Sequence, residues 1–118
     1  MIDDDAAEAA RSKLLDLLRT RVRAPIERHA DEILDSFGDD NEGLAAFQLA
    51  RADLDELISR VEDEQLKSLS VRLASHHDEL ISGIREMTDS LRTAKTLTHA
   101  AELFARVVGV LARIVALA

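Results

Sequence analysis

Apolar residues recur at helical spacing along most of the chain. In "DDDAAEAARSKLLDLLRTRVRA" they fall at Ala7, Ala10, Leu14, Leu17, Leu18 and Val22, behind acids that suit a helix N-terminus. Pro25 then removes a backbone donor and disfavours helix at Ala24. The pattern resumes in phase at Ile26, His29, Ile33, Leu34 and Phe37. Either one helix kinks at Pro25, or a new one starts there with proline in its first turn. The stretch "GDDNEG", residues 38–43, is the clear loop. Gly38 suits a left-handed helix end, Asp40 or Asn41 suits the next N-cap, and Glu42 lies near that helix's positive end.

From Leu44 to Ala118 there is no proline, and the only glycines after Gly43 are Gly83 and Gly109. One helix of that length would span roughly 110 Å and could not bury its own apolar stripe, so the pattern predicts that it folds back. The stripe runs Phe47, Ala50, Leu54, Leu57, Ile58, Val61, then Leu66, Leu69, Leu73, Leu80, Ile84, Met87 and Leu91. A turn is expected within "TDSLRTAKTLT" (88–98), with its four threonines, and a second near 64–68. The pair His76–His77 beside Ser75 is a third candidate. These cuts predict helices near 4–24, 26–37, 42–65, 67–91 and 96–118. Nothing alternates as strands do, and no run repeats at a fixed period. The expected fold is all-α: an antiparallel helical bundle of four to five helices, with residues 1–118 forming a single domain.

The last of these helices has an unusual wheel. At about 100° per residue, His99, Glu102, Arg106 and Arg113 fall within about 60° of one another. Beside them runs a band of small residues, Ala101, Ala105, Gly109, Ala112 and Ala116. The remaining half carries Leu103, Phe104, Val107, Val108, Val110, Leu111, Ile114, Val115 and Leu117. A helix apolar nearly all round is buried, so this one is expected to be central in the bundle or at a dimer interface. A membrane span is disfavoured. The segment "LFARVVGVLARIVALA" rises only about 24 Å against a hydrocarbon core of about 30 Å. Its two arginines would each add several kcal/mol to insertion. Insertion of an amphipathic surface lacks the broad cationic face such helices use.

Composition narrows the function. The chain has 118 residues, a net charge of −8 and no cysteine. An acidic chain repels phosphate backbones, and three phenylalanines without Trp or Tyr give no stacking platform, so nucleic-acid binding is not expected. The lack of cysteine removes disulfides and thiolate ligands and suits a reducing compartment. The acidic start "MIDDDAAEAARSK" does not read as a secretory signal, and a cytoplasmic location is expected. The Ala, Arg, Leu and Asp bias points to a GC-rich bacterial genome.

Three histidines are followed by glutamate at the third position: His29–Glu32, His76–Glu79 and His99–Glu102. On a helix each pair shares a face. Di-iron carboxylate bundles use the reverse order with further inward glutamates, which are not evident here. Local ion pairing is therefore expected, and no metal or cofactor site is assigned. No nucleophile arrangement or phosphate loop stands out, so no enzymatic activity is expected.

Residues 11–28 hold six basic residues against Asp16 and Glu27, whereas 31–64 hold twelve acids against Arg51 and Arg60. The two stretches are expected to face each other across the bundle. Asp53, Glu56, Arg60 and Asp63 recur at helical spacing as one mostly acidic stripe that could dock a basic partner. Arg106 and Arg113 are expected to reach water or pair with acids of neighbouring helices. The sequence thus reads as a non-enzymatic protein-interaction bundle whose partner is a basic protein surface, a second copy of itself, or both. One concrete version is a neutraliser of immunity or inhibitor type. Its candidate contact residues are Asp53, Glu56, Asp63, Ala105, Arg106, Gly109, Ala112, Arg113 and Ala116. The alternatives are a bundle that binds lipid or an apolar ligand, and a metal-dependent enzyme built on the His-x-x-Glu pairs.

Overall fold

The computed structural model describes residues 2–63 and 68–116, with side chains described over 8–63 and 68–115. Residues 2–36 form one broken helical arm: α1 (Ile2–Leu17), a π-helical turn (Leu18–Arg23), α2 (Ala24–Arg28) and α3 (Ala30–Ser36). It answers the question posed by Pro25. The helix neither stops nor simply kinks; it widens before the proline, and Ala24 N–H donates to the Arg19 carbonyl five residues back. A second break follows at His29, whose N–H is shared between the Pro25 and Ile26 carbonyls at 3.3 and 3.2 Å.

The wide turn also keeps the buried stripe in register. Ala10, Leu14, Leu18, Val22, Ile26 and Ala30 are all buried, and each lies four residues from the last. In an unbroken α-helix every such step advances about 40°, so the row would wind roughly 200° around the rod. One π turn absorbs an extra residue and takes back about 100° of that drift, which holds the row against the core.

Gly38, at φ +56°, ends the arm in the left-handed region that glycine adopts without a side-chain clash. Asp40 is the N-cap of the next helix. Its Oδ1 accepts from Gly43 N–H at 3.0 Å, and its carbonyl accepts from Leu44 N–H at 3.1 Å. Helix α4 (Asn41–Asp63) buries Phe47, Ala50, Leu54, Leu57, Ile58 and Val61, the row its periodicity predicts.

Helix α5 (Leu69–Ser90) buries Leu69, Leu73, Leu80, Ile84 and Met87. It runs unbroken through His76–His77, so the third candidate turn does not occur there; nothing at that position interrupts the hydrogen-bond ladder. The expected turn near 64–68 lies outside the described residues except for Ser68. The threonine-rich turn is present. The Thr96 hydroxyl donates to the Ser90 carbonyl at 2.6 Å, satisfying an acceptor at the end of α5. A short 3-10 turn (Ala94–Thr96) then leads into α6 (Leu97–Ala116).

Consecutive arms run antiparallel in a four-rod bundle measuring 53 × 22 × 20 Å. The lateral order differs from the chain order. Helix α6 packs on both α5 and α4, while α1 packs on the far sides of the same two helices. Helix α1 therefore lies diagonally from α6, as α4 does from α5, while α3 at the end of the arm packs on α6, and α6 runs parallel to its neighbour α4. The core is continuous, and Phe47 is its joint: its ring lies 6.2 Å from Phe37 and 5.8 Å, edge on, from Phe104. Arg51 covers the outer side of Phe47 at 5.7 Å and grips Glu27 of the arm with two hydrogen bonds of 3.1 and 2.6 Å. The N-terminus of α6 is tied to the end of the arm, Thr98 Oγ1 lying 3.0 Å from Ser36 Oγ.

Candidate functional site

The wheel of α6 sorts in the structure much as its chemistry suggests. Leu103, Phe104, Val107, Val108, Val110, Leu111, Ile114 and Val115 are buried between α4 and α5. Ala101 of the small band is also covered. His99, Glu102, Ala105, Arg106, Gly109 and Arg113 are exposed, and Ala112 is half-buried. The Ala116 side chain lies outside the described residues. Helix α6 is therefore central between its neighbours, yet one strip of it stays open, and the small residues make that strip a low ridge.

A groove runs along each side of the ridge, and Gly109 lines both. The α4 groove has a volume of about 410 Å³. Its floor is Ala50, Leu57, Val108 and Ala112; its outer wall is Leu49, Asp53, Glu56 and Arg60. The α5 groove, about 520 Å³, has Val107 and Val110 as its floor, with Glu79, Glu86, Arg106 and Arg113 around it. Gly83 lets α5 approach closely here: a Cβ at that position would lie 3.2 Å from Val107.

The charges divide into paired and unpaired sets. Two acids of the acidic stretch are engaged by the basic arm, through Arg19–Glu62 and Arg23–Asp55 at 3.6 Å, and Arg51 reaches back to Glu27 of the arm at 2.6 Å. The basic and acidic runs thus do face each other. Arg113 donates to Glu79 of α5 at 2.8 Å, the neighbour-helix pairing expected of it. Asp53, Glu56 and Arg106 make no hydrogen bond or ion pair among the described residues. Asp63 is exposed at the end of α4 and does not line the groove. The fold consequently brings Asp53 and Glu56 together with Ala105, Gly109 and Ala112, sets Arg106 and Arg113 on the other side of the ridge, and leaves Asp63 apart.

Leu49 was not singled out by the apolar stripe of α4, because it belongs to a second row, 46–49–53–56–60, on another side of the helix. It is one of two large apolar side chains exposed among the described residues, at 62%. A large apolar residue in a row otherwise made of one alanine and three charged residues was the signal that marked it.

The His-x-x-Glu pairs behave as local electrostatics. His29 Nδ1 lies 3.9 Å from Glu32 and His99 Nδ1 lies 3.5 Å from Glu102, while Glu79 turns to Arg113 and not to His76. Among the described residues no three His, Asp or Glu side chains gather as a metal-ligand set. No helix among them is long and apolar enough to cross a membrane.

The fold and this face define an all-α helical bundle with an open, groove-flanked C-terminal helix. Comparisons with protein-family models, with curated proteins and with solved structures find no match to this chain.

Proposed function

We propose that the chain is a non-enzymatic protein-interaction module that works through the outward face of α4 and α6. The observation that carries this reading is the pairing of a low apolar ridge with unpaired charges on both sides of it. Grooves with apolar floors, rimmed by a few polar groups, are how helix-binding surfaces are built. Small residues at 105, 109 and 112 let a partner backbone approach closely, and Leu49 supplies apolar area at the edge. Asp53 and Glu56 would draw cationic groups of a partner toward the groove, whether these lie on a basic protein neutralised in the manner of an immunity or inhibitor protein or on a second copy of the chain.

The test is site-specific photo-crosslinking in the organism of origin, with the crosslinking side chain placed at Leu49, at Ala105 or, as a control, at exposed Ala24 on the arm. Protein adducts from positions 49 and 105 but not from 24 are expected. No adduct at either face position, or equal adducts at all three, would refute the assignment of this face.

A further inference from the structure

We propose that the occupant of the α4–α6 face is a second copy of this chain, in a two-fold dimer; this rests on the interaction reading above and names its partner. The face is self-complementary in shape. Its α4 row is large (Leu49, Asp53, Glu56), while its α6 row is small (Ala105, Gly109, Ala112). A two-fold axis along the helices lays the large row of each copy on the small row of the other, filling both. Pairing like rows instead would jam large against large and leave a gap between the small ones.

The charges select the same arrangement. With α4 of one copy along the α6 ridge of the other, Asp53 and Glu56 come to the side of the ridge that carries Arg106. All three are unpaired within their own chain, among the described residues. Stacking α4 on α4 would instead set α6 on α6 and leave Arg106 of both copies without an acid from the α4 row. A purely basic partner would satisfy the acids and leave Arg106 facing like charge.

Two further features fit a second chain at this place. Gly109 sits in mid-helix, where glycine is unfavourable, and a Cβ there would meet nothing within 4 Å in its own chain. Leu49, 62% exposed, would be covered.

Sedimentation velocity on the full chain, from roughly 5 to 500 µM, tests this over the range of ordinary homodimer affinities. A species of twice the 13.0 kDa chain mass is expected to grow in with concentration. Gly109→Leu places a side chain on the ridge without touching the monomer's core. It should weaken association at least about tenfold while circular dichroism and the thermal melt of dilute protein show the fold intact. Arg106→Glu should weaken it to a similar degree. Adding Asp53→Arg and Glu56→Arg to that variant should restore affinity to within about threefold of the parent.

A chain that stays monomeric throughout, or a dimer indifferent to both Gly109→Leu and Arg106→Glu, overturns the proposal. Monomeric protein that still crosslinks from position 105 to a different protein overturns self-association and leaves the interaction reading standing. No association of any kind at this face overturns both.

Discussion

Replacing Gly109 with alanine should make the isolated chain more stable. The residue is exposed in the middle of a 20-residue helix, and a Cβ built on it meets nothing within 4 Å. The change therefore adds no clash and buries no new group. Its effect is the backbone entropy that glycine forfeits on entering a helix, about 0.5–1 kcal/mol relative to alanine. For a chain of 118 residues the unfolding entropy is about 0.25 kcal/mol per kelvin, so the melting temperature should rise by about 2–4 °C.

The assay is a thermal melt followed by circular dichroism at low micromolar concentration, where association contributes little. Gly83→Ala is the internal control. It has the same intrinsic gain, but its Cβ would lie 3.2 Å from Val107, so its net change should be smaller or of opposite sign. A fall in stability for Gly109→Ala would mean that this chain's own backbone covers the ridge, and would refute the open-ridge description of α6.

The remaining predictions concern what holds the bundle together. Phe104→Ala removes a fully buried ring that packs edge-on against Phe47, and should cost about 3–5 kcal/mol in urea unfolding. A change under ~1 kcal/mol would show that α6 is not seated in the core. Gly38→Ala, at φ +56°, should cost about 1 kcal/mol by the same measurement, and a stabilising result would contradict the left-handed helix end. A double-mutant cycle on Arg51 and Glu27 should return a coupling of about 0.5–1 kcal/mol at low salt, reduced at high salt because Glu27 is 45% exposed. The more exposed pair Arg113–Glu79 should give less, and the reverse ranking would undercut the role assigned to Arg51 as a clamp on Phe47.

How much of this was written in the sequence depends on the range of the interaction involved. The buried rows of α4 and α5, the left-handed end at Gly38 and the threonine turn are local, set by periodicity and by short-range hydrogen bonding. All of them follow from the order of residues. The division of α6 into a large half and a small band was legible for the same reason, but the wheel predicted a helix covered nearly all round, whereas Ala105 and Gly109 are exposed.

The π turn was not, because both readings of Pro25 kept the apolar row in phase. What decides between them is the accumulated drift of a four-residue spacing, which shows only when the whole arm must lie against one core. The lateral order of the helices was hidden as well. Nothing in the residues says that α4 and α6 lie side by side, and only that neighbourhood puts Asp53 and Glu56 beside Ala105, Gly109 and Ala112. Of the acidic stripe, Asp53, Glu56 and Arg60 line the α4 groove and Asp63, at the end of α4, does not. His76–His77 attracted attention as a pair of one residue type, but neighbours on a helix diverge by about 100° and the pair marks no break.

The central claim is that α6 fills the core with its large half and leaves its small ridge open to an incoming protein. Because the chain has no cysteine, single cysteines placed along α6 report this directly through native-state thiol labelling in dilute solution. Cysteines at 105 and 109 should react at nearly the rate of a free thiol, while those at 107, 111 and 114 should be slowed on the order of a thousandfold, as positions released only by unfolding. Equal reactivity along the helix, or protection at 105 and 109 in the monomer, would contradict the account.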